Sequence, residues 1–352
     1  MKRIKYLLVA MALVVLAACG NKNVAGDKQV EDASGKIKVY ASVYPVYDFV
    51  SKIGGDKIEL KSVIPNGEEP HGWEPDQQLL KDLEGADVFV YSGAGLESWV
   101  DKVTESVKNE NLKIVEATEG VDLIANTHHH DEEHEAAEHN HNHDNEHEAA
   151  EHNHEHNEHH NEAAEHEHAH EHEHEHDHGA YDPHVWLSPT RAIKELENIT
   201  TALSEADPAN ADYYKENLAK YSEEFKQLDA DYKAKLAEVP NKTIVVSHEA
   251  YGYLVADYGL EQFGITGIEA ETEPDAKTMK EIIQLVKEKN INTIFTEELL
   301  DTKIADTISS ETGAKTVRLN PLEGLSEEEI KNGDEYVSVM RANLEKLVEA
   351  LS

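Results

Sequence analysis

The sequence contains one cysteine, Cys19, and fewer than half as many basic as acidic side chains. A lone cysteine excludes an internal disulfide framework and a zinc site built from several thiolates. With 32 Lys and Arg against 72 Asp and Glu, the formal net charge is −40. The phosphates of nucleic acids and anionic lipid surfaces repel such a chain. We therefore expect no nucleic-acid partner and no charge-driven binding to membranes.

Long hydrophobic runs are also lacking, because the apolar stretch near the N-terminus, Leu7–Ala18, is too short to span a bilayer. Basic residues precede it, which is the layout of a secretory signal, so we predict a signal peptide over residues 1–18. The residues Leu16-Ala17-Ala18-Cys19 resemble the bacterial lipoprotein signal. This resemblance implies that Cys19 is lipidated, that residues 19–36 form a tether, and that the protein is extracytoplasmic and anchored to the cell membrane.

Residues 128–178 hold 20 of the 23 histidines together with 18 acidic residues, and they contain neither Lys nor Arg. With no apolar stripe to bury, this segment is predicted to be a disordered loop when metal-free. We interpret it as a weak, multi-site metal collector, because imidazole suits zinc, copper and nickel and adjacent carboxylates favour a divalent cation. A solvated acidic linker and an engineered affinity tag are the alternatives. The auxiliary ligands that we single out are His128, His129, His130, His172, His174, His176 and His178.

Three histidines lie outside this segment: His71, His184 and His248. The first two share the pattern acid-Pro-His-x-Trp, in EPHGW at 69–73 and DPHVW at 182–186. Proline restricts its own backbone and that of the preceding residue, so each histidine is expected on a stiff loop, as a metal site requires. The third histidine follows a β-branched stretch, which predicts a buried strand that ends near His248.

Segments typical of buried strands alternate with amphipathic helical segments, which predicts an α/β fold with parallel sheets. The predicted strands are 38–43, 58–64, 88–91, 113–116, 243–246, 262–266, 293–295 and 316–319. The predicted helices include 76–83, 96–107, 276–289 and 304–312. Residues 210–239 contain neither Gly nor Pro and predict a single rigid helix of roughly 45 Å. We therefore expect two lobes, 37–209 and 240–352, which the helix 210–239 connects.

Ligands of open parallel sheets bind beyond the carboxyl ends of the strands. His71 follows one predicted strand, His248 ends another, and Glu323 in RLNPLEGL follows a third. Two of the histidines precede the long helix, whereas the third histidine and the carboxylate follow it. This arrangement predicts a metal in the cleft between the lobes. Glu297 and Glu298 also follow a strand, so either of them, or water, is an alternative fourth ligand.

The chain resembles the metal-binding subunits of bacterial ABC importers that take up zinc or manganese, over about residues 37–352. The motifs that carry the resemblance include EPHGWEPDQQLLKDLEGADVFVYSGAGLE, DPHVWLSP, VVSHEAYGYL and ETGAKTVRLNPLEGL. The resemblance implies two α/β lobes, a rigid connecting helix and one metal, with His71, His184, His248 and Glu323 as its ligands. A histidine at the third position, and a histidine-rich segment before the second, resemble the zinc members rather than the manganese members.

Three imidazoles and one carboxylate form a tetrahedral set that suits Zn²⁺ at distances of about 2.0–2.2 Å, whereas Mn²⁺ prefers more oxygen ligands. Cu²⁺ and Ni²⁺ would also bind such a set in vitro. We expect a monomeric, lipid-anchored zinc receptor, not an enzyme, that hands Zn²⁺ to an ABC permease. A zinc hydrolase with water in the fourth position and a surface adhesin with a structural metal are the alternatives. Glu69 and Asp182 are expected either to orient the imidazoles or to be ordinary surface charges.

Overall fold

Two parallel β-sheets organise the part of the chain that this computed structural model describes, residues 35–126, 179–268, 270 and 274–352. The first sheet contains β1 (Ile37–Ala41), β2 (Ile58–Ser62), β3 (Val88–Tyr91) and β4 (Lys113–Glu116), in the order β2-β1-β3-β4. The second contains β5 (Thr243–His248), β6 (Glu261–Thr266), β7 (Thr293–Thr296) and β8 (Lys315–Arg318), in the order β6-β5-β7-β8. Each lobe therefore has one such sheet, and the two sheets share one strand order. The predicted α/β class with two parallel sheets is confirmed.

Helices connect the strands of both sheets. Those among the described residues are α1 (Tyr44–Gly54), α2 (Gln77–Glu84), α3 (Val100–Ser106), α4 (Pro189–Ala206), α5 (Ala211–Glu238), α6 (Gly252–Tyr258), α7 (Ala276–Glu288), α8 (Lys303–Thr312), α9 (Glu327–Asn332) and α10 (Tyr336–Leu351). Among the residues that the structure describes, no helix is both long enough and apolar enough to cross a bilayer.

Several predicted boundaries differ from the structure by one to four residues, and the largest difference is at the start of α3. The helix predicted from residue 96 begins at Val100, because Gly93, Ala94 and Gly95 have φ angles of 91°, 53° and 88° that turn the chain. Strand β5 continues two residues beyond its predicted end at 246, and His248 still pairs with Thr266 of β6. The first difference follows from glycine and alanine in left-handed conformation, which interrupt a helical pattern locally.

The predicted connecting helix is α5, whose 28 residues span roughly 42 Å. Toward its N-terminus, Asn217 Nδ2 donates to Ile53 O of the N-terminal lobe at 2.9 Å. Farther along, the Tyr232 hydroxyl donates to Met340 O of α10 at 2.7 Å. The helix is therefore hydrogen-bonded to both lobes along its length. The domain boundaries 37–209, 210–239 and 240–352 remain predictions.

The hydrophobic core continues from one lobe through α5 into the other. Phe49 of α1, Phe225 of α5 and Tyr336 of α10 are fully buried, with ring centroids 4.7–5.6 Å apart. Aromatic rings at such distances stabilise one another beyond their burial. Because the three rings come from three different parts of the chain, this shared core opposes independent movement of the lobes.

Candidate metal centre

Four buried side chains meet between the two lobes: His71, His184, His248 and Glu323. One potential ligand atom from each lies within 4.8 Å of the others. Glu323 Oε1 lies 2.9 Å from His71 Nε2, 3.0 Å from His184 Nε2 and 3.6 Å from His248 Nε2. The Nε2 atom of His184 lies 3.2 Å and 3.4 Å from those of His71 and His248. A tetrahedron with metal–ligand distances of about 2.0–2.1 Å has edges of about 3.3–3.4 Å, so these separations suit a zinc-sized tetrahedral site.

The four residues lie in loops or at the end of a strand. His71 is in the loop after β2, and His184 directly precedes the 3₁₀ turn Val185–Leu187. His248 is the last residue of β5, and Glu323 is in the loop after β8. The structure thus brings together the four residues predicted from the sequence, at the carboxyl ends of the parallel strands.

Carboxylates orient two of the three imidazoles. His184 Nδ1 donates to Asp182 Oδ1 at 2.8 Å, and His248 Nδ1 donates to the Glu297 carboxylate at 2.8 Å. Such partners fix the tautomer of a histidine, which leaves Nε2 free to bind a metal. Both Nε2 atoms therefore present their lone pairs to the centre of the cluster.

Glu69 does not orient an imidazole, contrary to one of the two roles considered for it. Its Oε1 accepts the backbone N–H of His71 at 3.3 Å, and its other oxygen is buried without a hydrogen-bond partner among the described residues. The orienting contact of Glu297 with His248 was not predicted. The signal present in the sequence was that Glu297 follows a predicted strand, whereas the pairing of that strand, β7, with β5 belongs to the tertiary structure.

Glu323 is the carboxylate that the structure places beside the three Nε2 atoms. Glu297, one of the alternatives, contacts His248 at Nδ1, on the side of the ring opposite the cluster. Glu298 forms an ion pair with Arg318. Neither glutamate occupies the position of a fourth ligand in this structure.

Negative charge and burial shift the acid–base equilibria of the cluster. Burial disfavours protonated His184, but its hydrogen bonds to Asp182 and Glu323 and their charges outweigh this effect and raise its pKa to about 9. Burial likewise opposes protonation of His248, yet the charges of Glu297 and Glu323 raise its pKa well above the usual value. Burial would raise the pKa of Glu323, but the charge of His248 and the hydrogen bonds from the histidines hold it well below the usual value. The cluster therefore attracts positive charge, which protons or a divalent cation can supply.

A cavity of about 200 Å³ connects His71 to the surface of the protein. Its lining includes Asn126 and Gly179, which lie at the two ends of the histidine-rich segment. The Asn126 N–H donates to Ala180 O at 2.8 Å, and its Nδ2 donates to Gly179 O at 3.1 Å. The residues that flank the segment are thus held together beside this cavity.

Several predicted features lie outside the described residues. They are the signal peptide 1–18, the lipidation site Cys19, most of the tether 19–36 and the auxiliary histidines His128, His129, His130, His172, His174, His176 and His178.

Comparisons with known proteins agree with the fold and with zinc as the metal. High-affinity zinc uptake system protein ZnuA of Bacillus subtilis is 36% identical over 344 residues, which are 98% of this chain and 96% of that protein. Zinc-binding protein AdcA of Streptococcus pyogenes is 39% identical over 318 residues, which are 90% of this chain. The chain spans just over half, 56%, of the length of that relative.

A solved structure is also similar. The Zn(II)-bound ZnuA-like domain of Streptococcus pneumoniae AdcA matches with a TM-score of 0.68 and 32% identity, over 90% of this chain and 99% of that domain. The family described as "ZnuA: Zinc-uptake complex component A periplasmic" matches residues 39–350. This family consists of solute-binding receptors rather than enzymes, which confirms the expectation that this chain is not an enzyme. The chain belongs to this family of periplasmic components of zinc-uptake complexes.

Proposed function

We propose that the protein is an extracytoplasmic receptor that binds one Zn²⁺ through His71, His184, His248 and Glu323. The observation that carries the proposal is the set of separations of 2.9–3.6 Å among three Nε2 atoms and one carboxylate oxygen, all buried. Three neutral imidazoles and one carboxylate satisfy a tetrahedral Zn²⁺ with no coordination position left for water. A closed coordination sphere favours transport over hydrolysis, because a hydrolytic zinc keeps an open position for water.

We further propose that the receptor passes Zn²⁺ to an ABC-type permease and that a lipid on Cys19 keeps it at the membrane as a monomer. Membership of a zinc-uptake family supports the first part. The segment LAAC at 16–19 supports the second. A buried site with charged partners releases its metal slowly unless the ligands are moved apart, so transfer requires the permease to act on the loops that hold the ligands.

The histidine-rich segment 128–178 is proposed to collect zinc weakly for the buried site. The residues that flank the segment, Asn126 and Gly179, line the cavity that reaches His71. Metal released by the segment would therefore meet this ligand. Many exchangeable ligands without fixed geometry bind weakly and release readily. The segment would therefore raise the local concentration of zinc rather than define the tight site.

Metal titration tests the proposed site. Purified protein is titrated with Zn²⁺ with and without residues 128–178, whose ends the Asn126–Gly179 contact holds close enough for a short glycine linker. We expect one tight site in both proteins and additional weak sites in the full-length protein alone. His71→Ala and His248→Ala should remove the tight site, whereas the control His172→Ala should keep it. A tight site that disappears with the segment, or that survives both alanine variants, would refute the proposal.

A further inference from the structure

Glu323 lies in a loop of the C-terminal lobe that two side chains of the N-terminal lobe hold from either side. Trp186 Nε1 donates to Pro321 O at 2.8 Å. Asn66 Nδ2 donates to Leu325 O at 2.9 Å, and Asn66 Oδ1 accepts the N–H of Leu325 at 2.8 Å. These attachment points lie two residues before and two residues after Glu323. The position of this carboxylate therefore depends on hydrogen bonds from the opposite lobe.

The two attachments differ in their surroundings. Trp186 is fully buried in the main core, so its indole also has a structural role. Asn66 is exposed, and it lines a cavity of about 440 Å³ that also reaches Glu323 and Leu325. The nitrogen and the oxygen of its side-chain amide nevertheless both form hydrogen bonds with the backbone of Leu325 in the other lobe. The Asn66–Leu325 contact is thus the attachment that solvent or a partner can reach.

The loops themselves approach closely at this point. A Cβ atom built on Gly324 would lie 3.4 Å from Gly67 N and 3.5 Å from Asn66 Oδ1. Asn66 also lies in the loop that leads to His71. One side chain therefore joins the loop that carries His71 to the loop that carries Glu323.

We propose that Asn66 is a positioning residue that holds Glu323 against the three imidazoles and limits the rate at which zinc leaves. This inference rests on the proposed zinc site. When the Asn66–Leu325 contact opens, the backbone of this loop keeps one of its two hydrogen-bonded attachments to the N-terminal lobe, the one at Pro321. Asn320 of its own lobe still holds Leu322 and Gly324, so the loop shifts with its own lobe toward the cavity rather than unfolding. Loss of one of four ligands then leaves the metal held by three histidines, from which it dissociates faster.

Stopped-flow measurement of zinc release into excess EDTA tests the role of Asn66. Two net hydrogen bonds of about 1 kcal/mol each imply that Asn66→Ala accelerates release by roughly 10- to 30-fold. Asn66→Asp should release zinc at least as fast, because it places a carboxylate oxygen against Leu325 O. The association rate should change little. The melting temperature of the metal-free protein should fall by roughly a few degrees at most, because the same two hydrogen bonds are lost from the folded protein, and release is therefore measured at a temperature at which every variant is folded.

Asn109 provides a matched control. Its Nδ2 donates to Ala86 O at 2.8 Å and its Oδ1 accepts the N–H of Asn111 at 3.1 Å, all within the N-terminal lobe. Asn109→Ala should release zinc at the wild-type rate. The inference is wrong if both Asn66 variants release zinc as slowly as Asn109→Ala. The proposed zinc site nevertheless stands in that case, provided that the wild type binds one zinc and His71→Ala does not. A wild-type protein that binds no stoichiometric zinc would overturn the proposed function and the inference together.

Discussion

The Nδ1 atom of His248 lies 2.8 Å from the carboxylate of Glu297, which directly follows the neighbouring strand β7. The backbone N–H of His248 also donates to Glu297 Oε1, at 3.3 Å. These contacts hold the imidazole with Nε2 toward His184 and Glu323. Glu297, which was considered as an alternative metal ligand, thus orients the proposed ligand His248.

Replacing Glu297 with glutamine should weaken zinc binding by about tenfold or more, because partners of this kind contribute 10- to 100-fold to metal affinity. Glutamine keeps an acceptor near Nδ1 but loses the negative charge. Competition with a chromogenic chelator measures the change. Glu298→Gln is the control, since that side chain pairs with Arg318 away from the cluster. An equal loss of affinity in both variants would contradict an orienting role for Glu297.

Removing the metal should leave the fold intact. The shared core around Phe225 and the hydrogen bonds of α5 to both lobes do not involve the cluster. We expect unchanged far-ultraviolet circular dichroism after chelation. The melting temperature should fall, because zinc at 100 to 1,000 times its dissociation constant contributes about 3–4 kcal/mol. Cooperative loss of helical signal on chelation alone would instead indicate a structural zinc, as the adhesin alternative requires.

Glu195 should make the metal-free protein less stable at alkaline pH. Its side chain, on α4, is fully buried and neither carboxylate oxygen has a partner among the described residues. Burial, with the charge of Glu97 in addition, raises its pKa from 4.5 to about 8. A folded-state pKa above the unfolded value means that the folded protein binds the proton more tightly. The stabilisation is complete below about pH 4.5 and is lost as the pH rises through about 8.

Glu195→Gln removes this titration. The free energy of unfolding of the variant, relative to that of the wild type, should rise by on the order of 4 kcal/mol between pH 5 and pH 9. Denaturant unfolding of metal-free protein at several pH values measures the difference. Glu197→Gln on the same helix is the control, because its carboxylate is about half exposed beside Lys194. If the difference between Glu195→Gln and wild type does not change with pH, Glu195 does not carry the proton.

Local patterns predicted most elements of the fold, because strands and helices have different hydrophobic periodicities. The strand 88–91 and the strand 113–116 were predicted with the bounds that the structure has. The start of α3 was wrong, because three successive left-handed residues at 93–95 do not change hydrophobic periodicity. Strand order could not be predicted, because any of several orders satisfies the same alternation of elements.

The sequence by itself determined which residues could be ligands. Counting the histidines separated His71, His184 and His248 from the repetitive segment 128–178. The prolines before His71 and His184 indicated stiff loops, because proline restricts the backbone of the residues next to it. Which carboxylate lies beside them could not be decided from the pattern of strands. Glu297, Glu298 and Glu323 all follow strands of one sheet, and only the resemblance of the segment RLNPLEGL to a family motif favoured Glu323. Pairing of β7 with β5 turns Glu297 toward Nδ1 of His248, whereas hydrogen bonds from the opposite lobe bring Glu323 to the three Nε2 atoms.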